Sequence, residues 1–152
     1  MAGMRHSILN RLIDSPGTAP RRDGQASPAE LAEAIRVDVE NLLNTRNHLD
    51  EELRTENSPA AGTIVGYGLG DLEGVLLGSA ADADALRGRI KRIIESFEPR
   101  LRKVDVKVLL APRPYTQEIV LEIRGTIRVD EYQELVAWNS VLQGGTARLT
   151  RM

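Results

Sequence analysis

Where the chain is regular between Ser27 and Phe97, its apolar residues recur every three or four positions; from Val104 onward they recur every second one. The first period is that of a helix with one buried face, the second that of a strand with one buried face. Ser27-Pro28-Ala29-Glu30 combines an N-cap serine, a proline at the first helical position and a glutamate able to reach back to the cap. The helix that opens there carries Leu31, Ile35, Val39 and Leu42 on one stripe, with Val37 and Leu43 at its margins, and is predicted to run to about Asn44. The run Asn44-Thr45-Arg46-Asn47 ends it or lets it fray, because Asn and Thr compete for backbone hydrogen bonds. A second helix is predicted from about Asp82, with Leu86, Ile90, Ile93, Ile94 and Phe97 inward and Arg87, Arg89, Lys91 and Arg92 outward. Pro99 disfavours helical geometry at Glu98 and stops it.

Beyond Pro99, Val104, Val106, Val108 and Leu110 alternate with Asp105, Lys107 and Leu109, and Pro112-Arg113-Pro114 closes the run. Ile119, Leu121, Ile123, Ile127 and Val129 hold odd positions while Glu118, Glu122, Arg124 and Arg128 hold even ones, a half-buried antiparallel strand with a bulge or bend expected at Gly125. A third strand is predicted near Gln133 to Leu142, a turn at Gly144-Gly145 and a short strand from Thr146 to Arg151. Helices first and strands second describe an α+β fold, with N-terminal helices packed on one face of a small, mainly antiparallel C-terminal sheet.

Two regions lie outside this pattern. Ile8, Leu9, Leu12 and Ile13 share one face of about two helical turns, too short to hold in water alone, so the segment is expected to dock on the domain or on a partner. Ser15 to Ala26, with Pro16, Gly17, Pro20 and Gly24, reads as a tether. Residues 1–26 are thus a docking segment and linker, and residues 27–152 one domain. From His48 to Ser79 the sequence is less regular: Ser58-Pro59 and Ala61-Gly62 suggest a loop, the glycines of Ile64-Val65-Gly66-Tyr67-Gly68-Leu69-Gly70 a tight turn against the core, and Asp71 to Leu77 a short helix.

Composition narrows the function. At 152 residues and 41% hydrophobic, the chain can bury one core. Twenty Lys plus Arg against 22 Asp plus Glu leave no positive surplus for a phosphate backbone, and 3% aromatic residues leave few platforms for bases or sugars, so nucleic acid is not an expected partner. The absence of cysteine removes disulfides, thiolate metal sites and cysteine nucleophiles. No apolar run approaches the roughly 20 residues of a bilayer span, and no secretory leader is legible, so a cytoplasmic protein without direct membrane insertion is expected.

Candidate chemistry is sparse. The glycine run lacks the Lys-Ser/Thr of a phosphate-binding loop, His6 and His48 belong to no metal or general-base pattern, and no serine sits in a Gly-x-Ser-x-Gly turn. No cofactor, metal or catalytic residue is expected. A glycosidase would need two carboxyl groups about 5 to 9.5 Å apart. Glu98 with Asp105 is the most visible pair, opposed by Arg100, which favours the ionised form of Glu98, and by the scarcity of aromatic residues. Phe97-Glu98-Pro99-Arg100-Leu101 has two readings. In one it only terminates a helix, with Arg100 against orphan carbonyls. In the other, proline holds a carboxylate and a guanidinium at fixed separation, as a polar clasp for another chain.

Four segments, in order, resemble one family. Ser7-Ile8-Leu9-Asn10-Arg11-Leu12 is similar to its Ser-Leu-Leu-Asp-Arg-Leu, and Leu42-Leu43-Asn44-Thr45-Arg46 to its Leu-Leu-Asn-Thr-Arg. Tyr67-Gly68-Leu69-Gly70-Asp71-Leu72 follows its Tyr-Gly-Leu-Pro-Asp-Leu with Gly70 in place of proline, and Glu98-Pro99-Arg100 is its Glu-Pro-Arg signature. The chain thus resembles the small baseplate wedge proteins of contractile injection machines, which include the type VI secretion baseplate subunit TssE, phage-tail relatives and a lysozyme-like label. The resemblance implies a non-enzymatic subunit that joins the wedge to the first sheath ring and nucleates sheath assembly. It implies that Glu98, Pro99 and Arg100 contact the larger wedge subunits and that edge strands pair with sheath subunits. The alternatives are a peptidoglycan-cleaving hydrolase, or the equivalent subunit of a phage-like or extracellular injection particle. Gly70 and the loosely matching Val141 to Thr146 ending leave the last of these open.

Overall fold

A computed structural model describes residues 27–47, 63–70, 79–110, 118–129, 132–143 and 146–152. The expected docking helix and tether of residues 1–26, the loop at 58–62, the short helix at 71–77, His48, the prolines at 112 and 114 and the turn at 144–145 lie outside them.

Helix α1, Pro28–Asn44, starts as its sequence dictates. Glu30 donates its N–H to Ser27 Oγ at 3.2 Å, and the Glu30 carboxylate accepts the Ser27 N–H at 2.7 Å. Helix α2, Ala80–Phe97, opens two residues earlier than its apolar pattern suggests, on a second capping box. Here Ser79 is the cap and Asp82 takes the part of the glutamate, accepting the Ser79 N–H at 2.9 Å. Aspartate is one carbon shorter than the usual partner, which makes this start harder to see in the sequence. The outward arginines and lysine of α2 are interleaved with acids on the same helix: Arg87 pairs with Asp84 and Lys91 lies 4.0 Å from Glu95.

Four strands follow: β1 Leu101–Leu110, β2 Ile119–Val129, β3 Tyr132–Gln143 and β4 Thr146–Arg151. They form a simple antiparallel meander in the order β1-β2-β3-β4. The architecture is the expected α+β, helices before sheet. Alternation places Leu121, Ile123 and Ile127 of β2, Val136 and Trp138 of β3, and Ala147 and Leu149 of β4 on one buried face. Against it pack Leu31, Ile35, Val39 and Leu42 of α1 and Leu86, Ile90 and Ile94 of α2. Each of these large aliphatic side chains stabilises the fold by roughly 1.5–3 kcal/mol. The opposite face is open and carries Arg102, Lys107, Arg124, Leu135 and Arg148.

The irregularity expected at Gly125 lies across from it. The β2–β3 register runs through Gly125 without a break, whereas the β1–β2 register shifts between Arg102 and Asp105, so Lys103 and Val104 together oppose Gly125. Lys103 holds φ +52, the left-handed conformation of a bulge residue, at a cost of about 1 kcal/mol for a side chain with a Cβ. The extra residue corrects the phase of the strand: Leu101 and Val104 both face the core although they are three positions apart. Gly125 is needed because a Cβ there would stand 2.8 Å from Leu101 Cδ1. Its role is room for Leu101, not a bend in its own strand.

One edge of the sheet is closed by side chains. Asn44 accepts the Ala147 N–H at 2.6 Å and donates to the Ala147 carbonyl at 2.9 Å. Glu40 accepts the Leu149 N–H at 2.8 Å, and Arg36 donates to the Leu149 carbonyl at 3.0 Å. Four helical residues advance about 6 Å and two strand residues about 6.8 Å, so positions 44 and 40 of α1 match positions 147 and 149 of an antiparallel β4. Asn44, expected to loosen the helix end, instead spends its amide on this edge; Thr45 Oγ1 donates to the Asn41 carbonyl at 2.7 Å.

At the far end of the sheet the Tyr132 hydroxyl donates to Glu134, which also accepts from Arg151 at 2.5 Å. Burial, then the hydrogen bond to Glu134 and its charge, push the Tyr132 phenol up to about 12, and the same hydrogen bond holds Glu134 below the usual carboxylate range. A phenol pKa raised above its ordinary 10 contributes stability that is complete below about pH 10 and lost as pH rises through about 12. The lowered Glu134 acts in the opposite sense, its contribution being lost as pH falls through its folded pKa. In the native protein, phenolate absorbance is expected to show an ionisation near pH 12 that Tyr132→Phe removes; its persistence in that variant would assign the raised phenol to another tyrosine.

Candidate interaction site at the helix–sheet junction

The junction between α2 and β1 is built by Pro99. Glu98 is the last residue tied to α2, donating its N–H to the Ile94 carbonyl at 2.8 Å, and its own carbonyl accepts the Leu101 N–H at 3.1 Å in a turn around Pro99 and Arg100. The Arg100 carbonyl then accepts the Arg128 N–H at 2.8 Å, joining the turn to β2. Helix, turn and sheet thus meet with their backbone groups paired.

The side chains fold back on this turn. Glu98 is 4% exposed, and both carboxylate oxygens are held by Arg100: Nε donates to Oε1 at 2.6 Å and Nη2 to Oε2 at 2.5 Å. The Arg100 N–H adds a bond to Oε1 at 3.2 Å. Arg100 Nη2 also donates to Asp38 Oδ2 at 2.6 Å, so one guanidinium ties α1 to the α2–β1 turn. Two carboxylates around one guanidinium raise the arginine pKa beyond its already high value, the hydrogen bonds it donates to Glu98 contributing most. Tyr67 senses the same cluster. Burial first, then the charges of Asp38 and Glu98, raise its phenol pKa.

Three of the four segments that carried the family resemblance converge here. The Tyr67 ring meets the Phe97 ring edge-on at 5.2 Å and 78°, and Leu69 donates its N–H to the Thr45 carbonyl at 3.1 Å. The ends of both helices are therefore held to one glycine-rich turn, in which Gly68 and Gly70 adopt φ +108 and +81. The tight turn expected from the glycine spacing is present. Gly70 is more than a relaxed substitute for the family's proline, because a proline ring fixed near −65° cannot adopt that φ. The fourth segment, Ser7 to Leu12, lies outside the described residues.

Asp38 and Tyr67 were not candidates from the sequence. Asp38 is one acid among several on the polar side of α1, and nothing local marks it as the partner of an arginine 62 positions on. The carboxylate pair considered for catalysis is not assembled: Asp105 is exposed on the open face of the sheet, and both oxygens of Glu98 are engaged by Arg100. Among the described residues no group of three or more His, Cys, Asp or Glu side chains is placed to hold a metal, and no helix is long and apolar enough to cross a membrane. What the junction offers is a rigid polar surface, with Pro99 exposed and the Arg100 and Asp38 side chains each one quarter exposed above a buried Glu98.

No curated protein matches the chain at a significant level. The family model described as baseplate wedge protein gp25 matches residues 29–132, which span α1, the glycine turn, α2, the Glu-Pro-Arg junction and the first two strands. With the greater part of the chain matched, and with the shared segments meeting in space, the protein belongs to the baseplate wedge protein gp25 family, the family of TssE.

Proposed function

We propose that this protein is a non-enzymatic structural subunit of a type VI secretion baseplate, acting in the cytoplasm, which joins the wedge to the first ring of the contractile sheath and nucleates sheath assembly. Family membership supports a structural role in a phage-like baseplate. The observation that carries the finer reading is the junction itself. Glu98 locks Arg100 in one orientation, and the resulting Pro99–Arg100–Asp38 surface is held by α1, α2 and the sheet together, as a docking site for the larger wedge subunits requires. Such a contact loses little conformational entropy on binding, because its polar groups are already positioned. A second reading within the same function, the equivalent wedge subunit of a phage-like or extracellular injection particle, has the same support from the family match.

The test avoids Glu98, whose reversal would bury an uncompensated cation. Pro99→Asp changes an exposed side chain that makes no hydrogen bond in the cluster. The variant is expected to melt within a few degrees of the parent and to lose co-purification with the larger wedge subunits. Retained co-purification would remove Glu98-Pro99-Arg100 from the wedge contact. Release of soluble fragments from peptidoglycan by the purified chain would overturn the non-enzymatic reading.

A further inference from the structure

We infer that the sheet accepts an incoming strand at β1 and not at β4, over the short regular stretch Asp105 to Leu110. This deepens the sheath-pairing part of the proposed function and rests on it. A strand can be added only where outward N–H and C=O groups lack partners. At β4 those of Ala147 and Leu149 have partners, bonded by Asn44, Glu40 and Arg36, so α1 occupies the place of a fifth strand and leaves only the outward groups of Arg151 at the strand's end. An extended chain arriving there would have to displace four hydrogen bonds, two of them to charged side chains.

The outward residues of the other edge follow from the ladder. Antiparallel strands alternate between residues that bond to one neighbour and residues that bond to the other. Because Ala147 and Leu149 point away from β3, their partners Leu142 and Ser140 point toward β2, where they oppose Ile119 and Leu121. Val120, Glu122 and Arg124 therefore point toward β1, opposite Leu109, Lys107 and Asp105. That leaves the peptide groups of Val106, Val108 and Leu110 directed outward, and among the described residues nothing bonds to them. Three such groups two residues apart, about 6.8 Å between successive ones, match the repeat of an extended backbone.

The bulge sets the limit of the site. At Lys103 and Val104 the strand departs from regular geometry, with Lys103 in the left-handed region, so the template cannot continue toward Leu101. Side chains define the partner. Val106 is buried while Val108 is only half-buried, so the incoming strand should place aliphatic residues beside them on the helix-covered face. On the open face it meets exposed Asp105, Lys107 and Leu109, with Lys107 already 4.0 Å from Glu122 of β2, so mixed polar residues suit that side. Under the proposed function the occupant is a segment of a sheath subunit, about six residues long and alternating aliphatic and polar residues. The remaining unpaired stretch, where β3 extends past the end of β4, offers the outward groups of only Gln133 and Leu135, since the Ala137 carbonyl accepts the Met152 N–H at 3.0 Å.

Residue-resolved amide exchange on the full chain, alone and assembled with co-expressed sheath subunits, tests the assignment. In the isolated protein Val106 and Val108 should exchange quickly and Ala147 and Leu149 slowly; in the assembly Val106 and Val108 should slow by about tenfold or more. Val108→Pro removes one outward N–H without touching the β1–β2 ladder and should abolish sheath assembly while melting as a folded protein. Should that variant fail to fold, exchange in the unaltered chain decides. New protection at Gln133 and Leu135, or at β4, or protection of Val106 and Val108 already present in the isolated chain, would overturn the choice of edge and leave strand pairing standing. Sheath assembly with no new protection in any strand would overturn strand pairing itself.

Discussion

Replacing Arg100 with alanine is expected to cost about 3–5 kcal/mol of stability, the range for removing one partner of a buried ion pair. Glu98 is almost completely buried and receives three hydrogen bonds, all of them from Arg100. Two come from the guanidinium and vanish with it. The carboxylate then stays buried with Asp38, of like charge, on the other side of the vacated space. The variant also releases α1 from the junction, because Arg100 Nη2 is the group that bonds Asp38. For a chain of this size each kcal/mol moves the midpoint of thermal unfolding by roughly 2–4 °C, so a fall of about 10 °C is expected. The cause can be isolated by a double-mutant cycle. Adding Glu98→Gln to Arg100→Ala should recover part of the loss, since a neutral amide costs less to bury than a carboxylate. A loss below about 1 kcal/mol would mean that solvent screens the pair as it does a surface one.

The second large effect concerns one methyl group. Gly68→Ala is expected to destabilise the protein by about 2–4 kcal/mol, because two costs act together. Gly68 holds φ +108, which a residue with a Cβ rarely adopts, and that Cβ would lie 2.4 Å from the Thr45 carbonyl oxygen. The obstacle is backbone and cannot rotate away. Relief requires moving the end of α1 or breaking the bond from the Leu69 N–H to the same carbonyl. Gly88→Ala is the control. It lies within α2 with nothing inside 4 Å of the added carbon, and there alanine should stabilise by about 0.5–1 kcal/mol through helix propensity. Equal effects at the two positions would mean that propensity, not close approach, decides both.

These two sites mark the boundary of what could be read from the chain alone. The glycine spacing announced a tight turn, but not that Gly68 lies against Thr45, because the two positions are 23 residues apart and no local signal joins them. The Glu98-Pro99-Arg100 segment was legible as a helix stop and as a clasp. The structure shows that the stop and the ion pair are one object, in which the carboxylate faces inward and Asp38 completes it.

The sequence by itself determined the order of elements, the start of α1, the end of α2 and the buried face of the first two strands. These depend on caps, on proline and on periods of 3.6 and 2, all written within a few neighbouring residues. Tertiary structure alone decided the rest. The bulge fell on β1 because Leu101 needed the space above Gly125 on the next strand. Arg36, Glu40 and Asn44 of α1 close one sheet edge, because the rise of a helix over four residues nearly matches that of a strand over two. Pairings of that kind depend on distances between segments a hundred residues apart, which only the folded chain sets.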